Sequence, residues 1–186
     1  MIFQDSALAH QYLDGKMGIE IGPAAHNPFN IQDCIFVGRE PAQQYIDDQL
    51  KLCGKVQELD VICEADDIPF LDGSFDYVLS SHVIEHCYNV HKTITEWLRL
   101  LKPDGLIFMI IPHVDRTFDK GRDITNADHL RFRAETPDED PHTDEHHNVW
   151  RTEDFLAICR EFDWNVIDHQ DVDDKVGNGF TIVIRK

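Results

Sequence analysis

A chain of 186 residues can bury one α/β core without disulfide or metal staples and has no room for a second full domain. Its 35 acidic against 17 basic residues give a formal charge of −18, a field that repels phosphate backbones and anionic lipid headgroups and argues against a nucleic-acid substrate. Five cysteines (Cys34, Cys53, Cys63, Cys87 and Cys159) form no CxxC pair, as expected of reduced thiols, and no segment approaches the roughly 18 consecutive apolar residues of a membrane span, so the expectation is a cytoplasmic protein without a membrane partner.

Ser6 is placed to cap a short helix whose apolar contacts are Leu8, Tyr12 and Leu13, with Gly15 at its stop. Met17 to Ile21 is almost wholly apolar, as in a strand covered on both faces, and Glu20 is its single acid. DCIFVG is a second strand. Pro41 then suits the first turn of a helix reaching about Cys53, with Ala42, Tyr45, Ile46, Leu50 and Cys53 on one face. Leu59 to Ala65 and Phe75 to Ser81 are the third and fourth strands, the latter introduced by Asp72, Gly73 and Ser74.

Val90, Ile94, Trp97, Leu98 and Leu101 fall on one side of a helix that stops at KPDG, and LIFMIIP is the fifth strand. From His113 to Val149 runs a segment far longer than an ordinary connection, which marks it as an insertion with a job. A last helix, from about Thr152 to Phe162, is capped by Thr152, with Phe155, Ile158, Cys159 and Phe162 facing inward. Trp164 to Asp168 and Phe180 to Ile184 close the chain. Only HQDVDDKVGNG separates them, too little for a crossover helix, so they pair antiparallel. The expectation is an α/β fold: a Rossmann-like, seven-stranded, mostly parallel sheet with a C-terminal antiparallel hairpin and helices on both faces, within one domain over residues 1–186.

Two separated segments, GIEIGPAAHNPF from Gly18 and ICEADDIPFLDGSFDYVLSSHVIEH from Ile62, agree in order and spacing with one family. They resemble the cofactor-binding half of class I S-adenosylmethionine-dependent methyltransferases, of the type 11-like methyltransferase domain family. The resemblance implies S-adenosylmethionine as cofactor and a site at the carboxyl ends of the strands, where open α/β sheets hold their ligands. The chain departs from the family pattern after the first strand. PAAHNPFN reaches the second strand within about a dozen residues, so the first crossover helix is expected to be shortened or missing.

On this resemblance Glu20 attracts the ammonium of the methionine moiety, and Gly22 lets the cofactor approach the backbone. Glu40, two residues beyond the usual place, is the nearest acid for the ribose hydroxyls, with a helix-capping role as its alternative. Glu64, Ala65 and Asp66 align with the adenine-binding trio. The carboxyl end of the fourth strand lies under the methionine, where Ser81 is a cofactor-binding candidate, and with His82 it opens toward the methyl acceptor. His82 is the candidate catalytic residue, able to accept a proton, and its alternative is a structural histidine beneath the pocket.

His82, Glu85 and His86 also spell HxxEH, a pattern with zinc-peptidase associations; whether Glu85 and His86 take a divalent metal stays open. At the start of the insertion, His113, Arg116 and Arg122 are the candidates for contacting the acceptor, against a loop stapled by its own ion pairs. The acidic, histidine-bearing tract PDEDPHTDEHHNVW reads as a loop, a lid or a metal patch. The insertion resembles an extension of bacterial methyltransferases linked to sugar or glycan metabolism. The function implied is methyl transfer to oxygen or nitrogen of a small molecule, such as a sugar or glycan precursor. The alternative is a catalytically silent cofactor-binding module with a protein partner.

Overall fold

The computed structural model describes residues 2–137 and 145–186. Seven strands form one sheet in the order β3-β2-β1-β4-β5-β7-β6. They are β1 (Gly18–Ile21), β2 (Cys34–Gly38), β3 (Val61–Ile62), β4 (Phe75–Ser81), β5 (Leu101–Pro112), β6 (Asn165–Gln170) and β7 (Gly179–Arg185). The first five run parallel, whereas β7 lies antiparallel to both β5 and β6, giving the expected closing hairpin.

Strand alternation divides the core into two layers. Ile19, Ile21, Val37, Val78, Ile107 and Met109 meet helices α3 (Val90–Leu100) and α5 (Thr152–Glu161), which supply Val90, Ile94, Trp97, Phe155 and Ile158. Tyr77, Leu79, Phe108, Ile110 and Val183 face the other way, onto α1 (Ala7–Leu13) and the connection carrying Phe29 and Ile31. Ser6 caps α1 as expected, its Oγ accepting from the Ala9 N–H at 3.0 Å.

No helix joins β1 to β2, so the missing first crossover is a feature of the fold. Residues 22–33 cross the sheet as irregular chain, fixed where the Ala25 N–H donates to Gln49 Oε1 at 2.7 Å. Gln49 belongs to α2 (Gln43–Cys53), and the absent neighbour explains why it is that helix's buried residue while Tyr45, Leu50 and Leu52 stay exposed. The apolar face expected for α2 therefore lacks the partner that would cover it.

The chain's two ends are clasped together above the same layer. Gln4 Nε2 donates to the Asp174 carbonyl at 2.9 Å, and the Leu8 N–H donates to Asp174 Oδ2 at 3.0 Å. Lys175, buried, donates to the carbonyls of Gln4 at 3.0 Å and Pro28 at 2.5 Å, with its ammonium 4.3 Å from the centre of the Phe29 ring.

Several boundaries differ from the sequence reading, among them β5, which begins at Leu101 and takes in the KPDG expected to stop the preceding helix. β3 is two residues rather than seven, because it is an edge strand with one ladder partner and Ile62 is largely exposed. Thr152 is the first helical residue of α5 rather than its cap; its hydroxyl donates to Asp171 Oδ1 at 2.6 Å. The insertion contains a helix, α4 (Ala127–Glu135), which buries Leu130. Its returning arm is pinned to the core by Val114 N–H to the Trp150 carbonyl at 2.9 Å and Asn148 N–H to the Glu85 carbonyl at 3.1 Å. The stretch 138–144, half of the tract weighed as a loop, lid or metal patch, lies outside the described residues.

Candidate active site at the carboxyl rim of the sheet

Gly22 leaves β1 with φ +65°, and its N–H donates to the Val37 carbonyl at 2.9 Å, drawing the ends of β1 and β2 together. A Cβ there would stand 2.8 Å from Val83 Cγ2, so the position is closed to side chains from below and strained for any L residue. Glu20 is buried in β1, between Phe36 of β2 and Leu79 of β4 in the ladder. Burial pushes its carboxyl up to about 8, and the charge of Lys175 opposes that rise.

Glu40 stands exposed just past β2, at the rim but not in the sheet. Beyond β3 the chain turns tightly, with the Asp67 N–H donating to the Glu64 carbonyl at 3.2 Å. Glu64 pairs with Arg39, and Asp66 pairs with Lys92 at 2.9 Å. The Ala65 carbonyl accepts from Trp97 Nε1 at 2.8 Å, while the Ala65 N–H has no protein partner among the described residues. That donor, fixed from behind by a buried indole, suits an aromatic ring nitrogen. Ile68, buried, lies alongside.

At the end of β4, Ser81 Oγ accepts from Asn27 Nδ2 at 3.3 Å. The irregular β1–β2 connection thus reaches across to the acceptor side. His82 follows with φ +56°, held by its N–H to the Ile110 carbonyl at 2.9 Å. Burial lowers its imidazole to about 4, keeping it neutral, and Nε2 is sheltered without a partner. Buried polar atoms of His26, Asn27 and Ser80 are likewise unsatisfied. Buried polar groups ordinarily find partners, so this collection at one rim, beside a strained glycine, fits a polar ligand with adenosyl and amino-acid halves.

The insertion residues divide. His113 follows β5 directly and is buried, with Nδ1 accepting from the Asp115 N–H at 3.2 Å. Arg116 is engaged by Asp171 at 2.6 Å and by the Gly179 carbonyl at 3.2 Å, which makes it a staple between the insertion and the β6–β7 loop. Arg122 pairs with Asp119 at 2.6 Å and also lines a cavity of about 430 Å³ with Arg133, His129, His147 and Thr125.

Sequence reasoning did not connect His146 to this rim. Its Nδ1 lies 2.6 Å from Asp119 Oδ2, and its Nε2 lies 3.9 Å from Glu85 Oε1. Arg122, Asp119, His146 and Glu85 therefore form a continuous line from the cavity to His82, whose Nδ1 is 3.8 Å from the same Glu85 oxygen. The histidine pattern in the tract was visible. The spacing gave no sign that one of its members returns to the β4 end.

The family model for a methyltransferase domain matches residues 25–109. An uncharacterized protein of Methanocaldococcus jannaschii is 34% identical over 102 residues, covering 53% of this chain and 45% of its own length. The chain spans less than half the length of the curated relatives it matches. Among solved structures, a SAM-dependent methyltransferase and possible histamine N-methyltransferase of Thermotoga maritima superposes with a TM-score of 0.56 at 18% identity, covering 96% of this chain and 92% of that one. The 1,6-didemethyltoxoflavin-N1-methyltransferase of Burkholderia thailandensis, with 1,6-didemethyltoxoflavin and S-adenosylhomocysteine bound, gives 0.59 at 14% identity, with 97% and 75% covered. These likenesses and the strand order agree on one architecture: the chain has the fold of the S-adenosylmethionine-dependent methyltransferases it superposes on, and its residues 25–109 match the methyltransferase-domain model.

Proposed function

We propose that this protein transfers the methyl group of S-adenosylmethionine to oxygen or nitrogen of a small molecule. The observation that carries the reading is the succession of the Gly22 turn, the acids Glu20, Glu40 and Glu64, and an Ala65 N–H without a protein partner among the described residues, in or just beyond the carboxyl ends of β1, β2 and β3. Bound there, S-adenosylmethionine supplies an electrophilic methyl carbon on a sulfonium. Glu20 and Gly22 seat the amino-acid end, Glu40 accepts from the ribose diol, and Ala65 with Glu64 and Asp66 reads the adenine edge. Ser81 and His82 face the reacting space, where neutral His82 accepts the acceptor's O–H or N–H proton.

An in-line displacement at carbon gains most from alignment and exclusion of water. The insertion supplies cover for the acceptor. Its cavity of about 430 Å³ has the size of an ordinary small-molecule site. Arg122 and Arg133 on its wall suit an acceptor bearing a carboxylate or phosphate, such as an acidic sugar or glycan precursor. Five free thiols accord with a reducing, cytoplasmic setting. Among the described residues no helix is long and apolar enough to cross a membrane.

Calorimetry with S-adenosylhomocysteine tests the donor site. One equivalent is expected to bind, and Glu40→Gln is expected to weaken binding about tenfold through loss of charge-assisted hydrogen bonds. No heat with folded wild-type protein refutes the reading. Binding without methyl consumption across a library of acidic sugars and small amines favours a silent binding module instead.

A further inference from the structure

In a strand–helix–strand unit the helix after the first strand turns its N-terminus, with free N–H groups and the positive end of its dipole, toward an anion at the strand's carboxyl end. Here no helix joins β1 to β2. The amino-acid end of S-adenosylmethionine carries two charges, and Glu20 offers a partner for the ammonium alone. The carboxylate therefore needs a positive group from another part of the chain.

Lys175, in the loop between β6 and β7, is such a group. It is 4% exposed, and its ammonium donates to the carbonyls of Gln4 at 3.0 Å and of Pro28, in the irregular β1–β2 connection, at 2.5 Å. Both acceptors are neutral, and an ammonium has three donors. One N–H and the charge itself are left over. The acids nearby are engaged elsewhere: Asp5 accepts from Asn30 Nδ2 at 2.7 Å, Asp174 from the Leu8 N–H at 3.0 Å, and Asp173 from the N–H groups of Lys175, Val176, Gly177 and Gly179. Burial presses Lys175 below the ordinary lysine range, and the charges of Asp5, Glu20, Asp174 and Asp173 oppose that fall from a distance. A buried ammonium without a carboxylate beside it is costly, and a bound anion offsets the cost.

A second, independent observation lies on the connection itself. His26 Nδ1 and Asn27 Oδ1 are buried without partners, although the backbone around them is fixed. The His26 carbonyl accepts from the Phe3 N–H at 2.9 Å, the Asn27 N–H donates to the Ala24 carbonyl at 2.8 Å, and Asn27 Nδ2 donates to Ser81 Oγ at 3.3 Å. Burial lowers His26, so its imidazole is neutral, and in the Nδ1–H tautomer that nitrogen is a donor. Residues 26–28 thus carry an unused donor, an unused acceptor and the carbonyl that holds Lys175.

We propose that Lys175 and His26 bind the carboxylate at the amino-acid end of the cofactor, and that Asn27 Oδ1 joins Glu20 on its ammonium. The inference rests on the donor-site reading above and goes beyond it by assigning the anionic pole. Glu20 is in register with Leu79, and Lys175 stands 4.3 Å from the centre of the Phe29 ring; Leu79 and Phe29 belong to one layer, the layer of the irregular connection. The charge of Lys175 acts on Glu20 and that of Glu20 on Lys175, as two poles matched to one zwitterion require. Gln4, whose carbonyl covers the ammonium, is itself exposed, so the ligand carboxylate replaces that carbonyl by a shift of the N-terminal strap.

Calorimetry compares three ligands: S-adenosylhomocysteine, its decarboxylated analogue, which keeps the amine, and 5′-methylthioadenosine, which has no amino-acid end. Wild-type protein is expected to bind S-adenosylhomocysteine about 10–100-fold more tightly than the decarboxylated analogue. Lys175→Met, which keeps the apolar stem and removes the charge, should abolish most of that difference and leave the other two ligands unchanged. His26→Ala should reduce it severalfold with the same selectivity. Near-UV circular dichroism reports folding; if Lys175→Met does not fold, the wild-type series and His26→Ala, at a half-buried position, carry the test. Equal affinity of the wild-type protein for S-adenosylhomocysteine and its decarboxylated analogue overturns the proposal. So do folded variants that weaken all three ligands alike, the result of a clasp that never touches the ligand. Failure of all three to bind folded wild-type protein instead refutes the donor-site reading, and this inference with it.

Discussion

Trp97→Ala is expected to cost about 3–5 kcal/mol of stability, the range for deleting a fully buried large aromatic. The indole has no exposure, packs in the layer between α3 and the sheet, and holds the Ala65 carbonyl through Nε1 at 2.8 Å. Its loss leaves both a cavity and an unpaired carbonyl. Trp97→Phe separates the two effects by keeping most of the volume and removing the donor, at about 1–3 kcal/mol. If Ala65 presents its N–H to adenine, that variant should also bind S-adenosylhomocysteine severalfold more weakly at temperatures where it is fully folded. Denaturant titration and calorimetry give the two numbers, and unchanged affinity would remove Ala65 from the adenine site.

Glu20→Gln is expected to flatten the pH dependence of folding. The carboxyl titrates near 4.5 when free and at about 8 in the folded chain, because burial disfavours its charge. The folded state thus holds this proton more tightly than the unfolded one. Stability is undiminished below about pH 4.5, falls as the pH rises, and reaches its full loss above pH 8; for a shift of this size the ceiling is about 5 kcal/mol. The glutamine carries no charge to desolvate, so the variant should be the more stable protein at pH 8 and nearly equal at pH 5. Urea unfolding of both proteins across this interval isolates the group by difference. Parallel profiles would show that Glu20 is ionised in the folded chain throughout, with Lys175 compensating in full. A cofactor ammonium favours the ionised form that burial disfavours, so S-adenosylhomocysteine binding by the wild-type protein should tighten as the pH rises toward 8, a rise that Glu20→Gln should lack.

The sheet was legible because its central strands are runs of Val, Ile and Leu bounded by turn residues, and the antiparallel ending followed from a connection too short to cross over. The edge was less so. Val61 and Ile62 sit in a longer apolar-looking stretch, yet an edge strand pairs only as far as its one neighbour allows. Helix α4 escaped notice because Leu130 is its buried residue, too little to establish a helical period. In the candidate site, Glu20, Gly22 and the Glu64–Asp66 trio could be aligned because each follows a strand end directly. From the sequence Arg116 reads equally as an anion contact or as part of an ion-paired loop, and only the fold decides by placing Asp171 opposite it. His146 stayed invisible for the same reason: its partners Asp119 and Glu85 come from different connections, and no local spacing encodes a meeting between loops.

The clasp between the chain's ends has a consequence for synthesis. Helix α1 is made well before its anchors, but a peptide of seven residues is far below the length at which an isolated helix persists in water. Asp174 follows Leu8 by 166 residues, and Lys175 follows Gln4 by 171. One side of the nascent sheet, with Tyr77, Leu79 and Phe108, therefore stays bare until those anchors have been made. Chains halted before Asp174 should present that surface to chaperones and proteases, and a co-translational pulse-proteolysis series would date the moment it is covered.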